Sequence, residues 1–83
     1  MQITFKLYAS LTEFLPATRQ GNEVTLDIPE GTSILGVTEP FNLPEKQVHL
    51  VLVNGRYVAP ADRATHALVE GDVLAIWPPV AGG

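Results

Sequence analysis

The chain has 83 residues, enough for one domain with a modest core and too few for a second catalytic domain. Nine acidic against five basic residues give a formal net charge of −4; this disfavours nucleic acid, which needs a basic face, and either suits a partner with a basic docking surface or simply keeps the protein soluble. Cysteine is absent, which excludes disulfides and thiol nucleophiles, while the plentiful aliphatic residues mark a folded chain.

Ile3, Phe5 and Leu7 alternate with Thr4, Lys6 and Tyr8, which predicts a half-buried strand. In Ala9 to Leu15, Leu11, Phe14 and Leu15 lie at near-helical spacing, so a turn or short helix is expected, ended by Pro16. Thr18 to Asn22 is polar and contains Gly21, a turn. Val24, Leu26 and Ile28 alternate again and predict a strand paired back on the first. Pro29-Glu30-Gly31 closes that hairpin, and Thr32 or Ser33 can cap a helix through its hydroxyl. Gly36 weakens this helix and Pro40 stops it, so it is short, with Ile34, Leu35, Val37, Phe41 and Leu43 on its apolar side.

Val48 to Val53, interrupted only by His49 and bounded by Asn54-Gly55, is the best candidate for a central strand. Arg56 to Val58 is short and extended, and Ala59 to Leu68 is a loop with room for one helical turn. Glu70-Gly71-Asp72 is a turn before the last strand, Val73 to Trp77. Pro78-Pro79 ends sheet pairing because neither residue has an amide donor. The order strand, strand, helix, strand, strand predicts an α+β fold of two layers, a helix across a mixed sheet of four to five strands. The expected division is a domain at 1–77 and a flexible tail at 78–83.

Few polar residues suggest a chemistry. His49 and His66 lack acidic or cysteine neighbours at metal-ligand spacing, so no metal is expected. The serines and acids form no triad or carboxylate pair, and the glycines form no phosphate loop. If Leu74 and Ile76 face the core, Val73, Ala75 and Trp77 face outward, which makes Trp77 an interface anchor; with the opposite parity Trp77 is core. Tyr57 either extends that patch or is a half-buried strand residue. Lys6 and Lys46 are the only lysines, too few to favour polymeric chains built on this protein. The N-terminal residues show no signal peptide and no stretch is long enough to span a bilayer, so the cytoplasm is the expected location.

The last six residues, Pro78-Pro79-Val80-Ala81-Gly82-Gly83, resemble the C-terminus of the small subunit of molybdopterin synthase, a member of the ThiS/MoaD-like, ubiquitin-like sulfur-carrier family. Leu68 to Trp77 resembles the turn and closing strand of that family, Val51-Leu52-Val53-Asn54-Gly55 is similar to its central strand and turn, and the opening strand with Leu11 to Leu15 fits its beginning. The similarity spans essentially the whole chain, although Gly36 and Pro40 make the helix shorter and more broken. Leu7 to Pro16 and Val48 to Gly55 also resemble a ubiquitin-like domain found fused to modules with a proposed RNA-processing role, which leaves the pathway open.

The resemblance implies a β-grasp fold and a function centred on Gly83. In that family a ubiquitin-activating-type adenylyltransferase uses ATP to adenylate the terminal carboxylate. Sulfur then displaces AMP to leave a thiocarboxylate, and the synthase's large subunit directs it to the pterin precursor. The protein would bind no cofactor stably and would not be catalytic alone; ATP belongs to the activating partner. Val80, Ala81 and Gly82 would be the segment that passes through the partners' channels, where glycine, lacking a Cβ, fits a narrow path. Trp77, Tyr57, Pro78 and Pro79 would meet the partner, the prolines stiffening the base of the arm. The alternatives are a sulfur carrier for thiamine thiazole synthesis, a protein modifier joined to lysines through Gly83, and a binding module with no chemistry at its end.

Overall fold

The computed structural model describes residues 1–80 and contains a five-stranded sheet in the order β2-β1-β5-β3-β4. Strand β1 (Gln2–Leu7) buries Ile3, Phe5 and Leu7 completely and turns the residues between them to the other face, as period-two alternation requires. Strand β2 (Glu23–Asp27) pairs antiparallel with it, Phe5 opposite Val24 and Ile3 opposite Leu26. Strand β3 (Leu50–Val53) and the two-residue β4 (Arg56–Tyr57) form a second hairpin. Strand β5 (Val73–Trp77) joins the two hairpins, parallel to β1 and antiparallel to β3.

One expectation is corrected here. The central strand is β5, and the apolar run 48–53 supplies a shorter strand that lies one place from the β4 edge. The run is continuous because both of its faces meet apolar neighbours: Val51 and Val53 enter the core, while Leu50 and Leu52 lie half-buried on the opposite face.

Helix α1 (Ile34–Thr38) begins at Ser33, whose hydroxyl accepts the Gly36 N–H at 3.0 Å. It contributes Ile34 and Val37 to the core and passes into a 3-10 turn, Glu39–Phe41, that carries Pro40. Phe41 lies 5.1 Å from Phe5, ring centroid to ring centroid, which extends the core beyond the helix. The segment Ala9–Phe14 is a 3-10 helix that buries Leu11. The core joins β1, β3, β5 and α1 with Leu11, Leu15, Val58 and Leu68, and each fully buried aliphatic or aromatic side chain is worth ~1.5–3 kcal/mol. Together these elements form a β-grasp, a mixed five-stranded sheet with one short helix across it. No helix among the described residues is long and apolar enough to cross a membrane.

The loop 59–68 is tied down at its C-terminal end and at its middle. Ser33 and Ala67 form a bridge, and Leu68 N–H donates to Thr32 C=O at 2.9 Å. Arg63, only 6% exposed, donates from Nε to Val58 C=O at 3.1 Å and from Nη2 to His49 C=O at 3.2 Å, with Nη1 3.5 Å from Val48 C=O. The two turn motifs, Asn54-Gly55 and Gly71-Asp72, meet each other: Asn54 Nδ2 donates to Asp72 Oδ1 at 2.8 Å.

Candidate functional site

The face of the sheet opposite the core is assembled by register. Lys6, Ala75, Leu52 and Tyr57 lie side by side across β1, β5, β3 and β4, and Leu50 lies beside Trp77 one step nearer the end of β5. Leu74 and Ile76 are fully buried, while Val73 and Trp77 are half-buried, so Trp77 stands on the outer face. Tyr57 shares that face and is 58% exposed. The result is an apolar strip running from exposed Tyr57 through half-buried Leu52 to half-buried Trp77, with Ala75, expected to face outward, covered at 7% exposure between them. Charge begins only at Lys6, which faces Glu23 across β1 and β2.

Trp77 is not a free-standing side chain. Tyr8, the residue after β1, stacks on it with ring centroids 4.0 Å apart and planes 9° from parallel. Such a pair is worth ~0.5–1.5 kcal/mol beyond its buried area and fixes the indole's orientation. Sequence reasoning missed Tyr8, although the signal was present: Tyr8 continues the outward series Thr4, Lys6 of the first strand. The partnership could not be read from spacing, because it depends on the parallel pairing of the chain's first and last strands.

Below the two rings the backbone reaches a definite end. Tyr8 N–H donates to Ile76 C=O, and His49 N–H donates to Trp77 C=O, each at 3.1 Å. Pro78 and Pro79 follow and offer no amide, so the ladder stops and the chain leaves the sheet. Pro78 is half-buried, Pro79 is exposed and Val80 is 80% exposed. Of the residues that sequence assigns to partner contact, the structure places Trp77 and Pro78 together at this exit, with Tyr57 at the far side of the strip. Ala81, Gly82 and Gly83, assigned to tail passage and to the reactive carboxylate, lie outside the described residues. His49 takes part through its backbone alone: its N–H holds Trp77 and its C=O receives Arg63.

A cleft of about 750 Å³, bordered by Arg56, Tyr57, Asp62 and His66, lies by Asn54 and Asp72, at the end of β5 away from Trp77. Among the described residues no group of three histidines or acids gathers to hold a metal ion.

This fold is similar to that of SAMP1 from Haloferax volcanii, with 26% identity over 100% of both chains and a TM-score of 0.71. It is also similar to the thiamine biosynthesis protein ThiS of Geobacter metallireducens, at 16% identity, 100% of both chains and a TM-score of 0.66. The Helicobacter pylori molybdopterin-converting factor, determined as a complex of its subunits 1 and 2, matches at 16% identity over 100% of both chains with a TM-score of 0.64. At 16% identity the last two speak for the fold alone. No curated protein matches the sequence. Residues 1–82 match the family Mut7-C ubiquitin, which is nearly the whole chain. The chain therefore belongs to the Mut7-C ubiquitin family, and its β-grasp fold is the one these structures share.

Proposed function

We propose that the chain is a sulfur carrier acting through the carboxylate of Gly83. The observation that carries this reading is the place where the sheet stops: β5 ends at Trp77, beside a stacked aromatic pair, and leads through Pro78-Pro79 toward Gly82-Gly83. An apolar strip next to a stiffened exit lets a partner grip the domain while the terminal residues enter its active site. The chemistry needs nothing else from this chain. A carboxylate oxygen of Gly83 attacks the α-phosphate of ATP in an activating enzyme of the ubiquitin-activating type, and pyrophosphate leaves. Sulfide delivered by a sulfur donor then attacks the acyl carbon, AMP leaves, the sulfide's proton passes to water, and a thiocarboxylate remains. Its acceptor would be a pterin precursor held by the large subunit of a molybdopterin synthase, or the thiazole precursor of thiamine in a thiazole synthase.

A second reading rests on a specific observation. SAMP1, at 26% identity, is a small archaeal modifier protein by name. In that case the activated Gly83 acyl group passes to a lysine amine and forms an isopeptide bond. Supplying the activated protein separately to a pterin-synthase large subunit with its precursor, to a thiazole synthase, and to lysine-bearing protein separates the readings. Sulfur in the pterin product with no new covalent conjugate is expected. Conjugates linked through Gly83, without sulfur transfer, would replace the carrier reading by the modifier reading.

Trp77 provides a test of the docking face. Trp77→Ala is expected to weaken binding of the activating enzyme by ~2 kcal/mol or more, as truncation of a central aromatic anchor does, while stability stays near normal. Tyr8→Ala is expected to weaken binding less, by releasing the indole from its fixed orientation, and Tyr8→Phe to restore it. Calorimetry of binding and denaturant unfolding read the two quantities. Loss of ~3–5 kcal/mol of stability in Trp77→Ala would mark it as core and move the docking face elsewhere.

A further inference from the structure

The Asn54-Gly55 and Gly71-Asp72 motifs have no part in the chemistry at Gly83, yet their side chains and backbone are joined by a set of hydrogen bonds. Asn54 Nδ2 donates to Asp72 Oδ1 at 2.8 Å, Asn54 Oδ1 accepts the Val73 N–H at 2.8 Å, and Asn54 N–H donates to Val73 C=O at 2.9 Å. Asp72 is 6% exposed, and its second oxygen accepts the Val69 N–H at 2.9 Å. The turn itself is left-handed at both residues, with φ of 52° at Asn54 and 82° at Gly55. Asparagine tolerates that region and glycine prefers it, which is why this pair joins β3 to β4.

An asparagine followed by glycine is also the dipeptide most prone to cyclise, because glycine leaves its backbone nitrogen unshielded. We propose that Asn54 is a deamidation site that folding closes and unfolding opens. The Gly55 nitrogen attacks Asn54 Cγ, forming a carbon–nitrogen bond and a five-membered succinimide. The Cγ–Nδ2 bond breaks and ammonia leaves with the proton that Gly55 gives up. Water then opens the ring on either side, giving aspartate or isoaspartate at position 54. The only co-reactant is water.

In the folded chain Asn54 Cγ is unavailable. Both polar atoms of its amide are bonded, Nδ2 to Asp72 Oδ1 and Oδ1 to the Val73 N–H, and turning Cγ onto the Gly55 nitrogen would break those bonds. Once the chain unfolds that restraint is gone. The product cannot remake the contact. An aspartate at 54 has lost the Nδ2 donor and sets a carboxylate against the buried carboxylate of Asp72, a costly pairing of like charges. An isoaspartate adds a backbone atom to a turn whose dihedral angles leave no slack for it. Deamidation at Asn54 is thus a one-way record of unfolding. The other two asparagines, Asn22 before Glu23 and Asn42 before Leu43, have bulkier successors and serve as internal controls.

The test incubates the full chain at mildly alkaline pH, in buffer and in concentrated urea, and maps the peptides by mass spectrometry over time. Asn54 is expected to convert faster in urea than in buffer, by about tenfold or more, because the native rate is limited by opening of the fold. It is also expected to outpace Asn22 and Asn42 in urea. The variant Asn54→Asp, made directly, is expected to melt several degrees below the parent. Equal rates at Asn54 in buffer and in urea would overturn the proposal, and so would an Asn54→Asp variant that melts with the parent.

Discussion

Arg63→Ala is expected to lose roughly 3–5 kcal/mol of unfolding free energy, a large share of what a domain of this size has. Arg63 is 6% exposed, and its guanidinium has no carboxylate partner among the described residues. Its charge is balanced instead by carbonyl dipoles, those of Val58 and His49 at 3.1 and 3.2 Å and that of Val48 at the long end of hydrogen-bond range. These carbonyls come from the two flanks of the β3–β4 hairpin, the stretch after β4 and the approach to β3. Removing the side chain leaves them without that donor in a place water reaches poorly, and each such orphan costs ~1–3 kcal/mol. Arg63→Lys is expected to recover only part of the loss, since one ammonium cannot span the planar fork. Urea unfolding at unchanged m-value reads the effect as a shift in midpoint. A loss below ~1 kcal/mol would mean that the carbonyls find water and that Arg63 is a surface residue in energetic terms.

The largest effect on activity is expected at the other end of the molecule. Deleting Gly83, or introducing Gly82→Phe, should abolish thiocarboxylate formation outright and leave the melting temperature unchanged. The first change removes the reacting acyl group from its position relative to the domain, and the second puts a ring where the proposed channel requires a thin backbone. Stability should not follow, because the described base of the tail makes little core contact: Pro79 is exposed and Val80 is 80% exposed. Formation of thiocarboxylate is read by mass and stability by thermal melting. A variant with a lowered melting temperature would show the tail packed against the domain. A variant that retains sulfur transfer would remove Gly83 from the mechanism.

Most of the elements were legible because their signals are local. Alternation at Ile3, Phe5, Leu7 and at Val24, Leu26 gives strands by period two, and Ser33 with Gly36 and Pro40 gives a short capped helix. Strand order was not legible. The parallel pairing of Thr4 with Val73 closes a loop of nearly the whole chain, and nothing in an apolar run of four or five residues says which neighbour it will take. That is why 48–53 read as central and β5 proved to be. Arg63 was hidden for a related reason: in sequence it is one charge in a polar loop, and only the fold brings carbonyls of Val48, His49 and Val58 to its guanidinium. At the site, the outward parity of Trp77 followed from its neighbours Leu74 and Ile76, whereas its partner Tyr8 lies at the opposite end of the sequence. The meeting of Asn54 with Asp72 has the same origin, since two turn signals that are each plain in sequence carry no mark of belonging together.

The carrier reading stands or falls on one measurement. The purified chain is incubated with an activating enzyme of the ubiquitin-activating type, ATP and a sulfur donor, and its intact mass and C-terminal peptide are recorded. The account predicts that one oxygen is replaced by one sulfur, that the change maps to Gly83, and that it requires ATP. A sulfur atom located on any other residue, or a chain that forms an adenylate at Gly83 and passes it only to lysine amines, would contradict it.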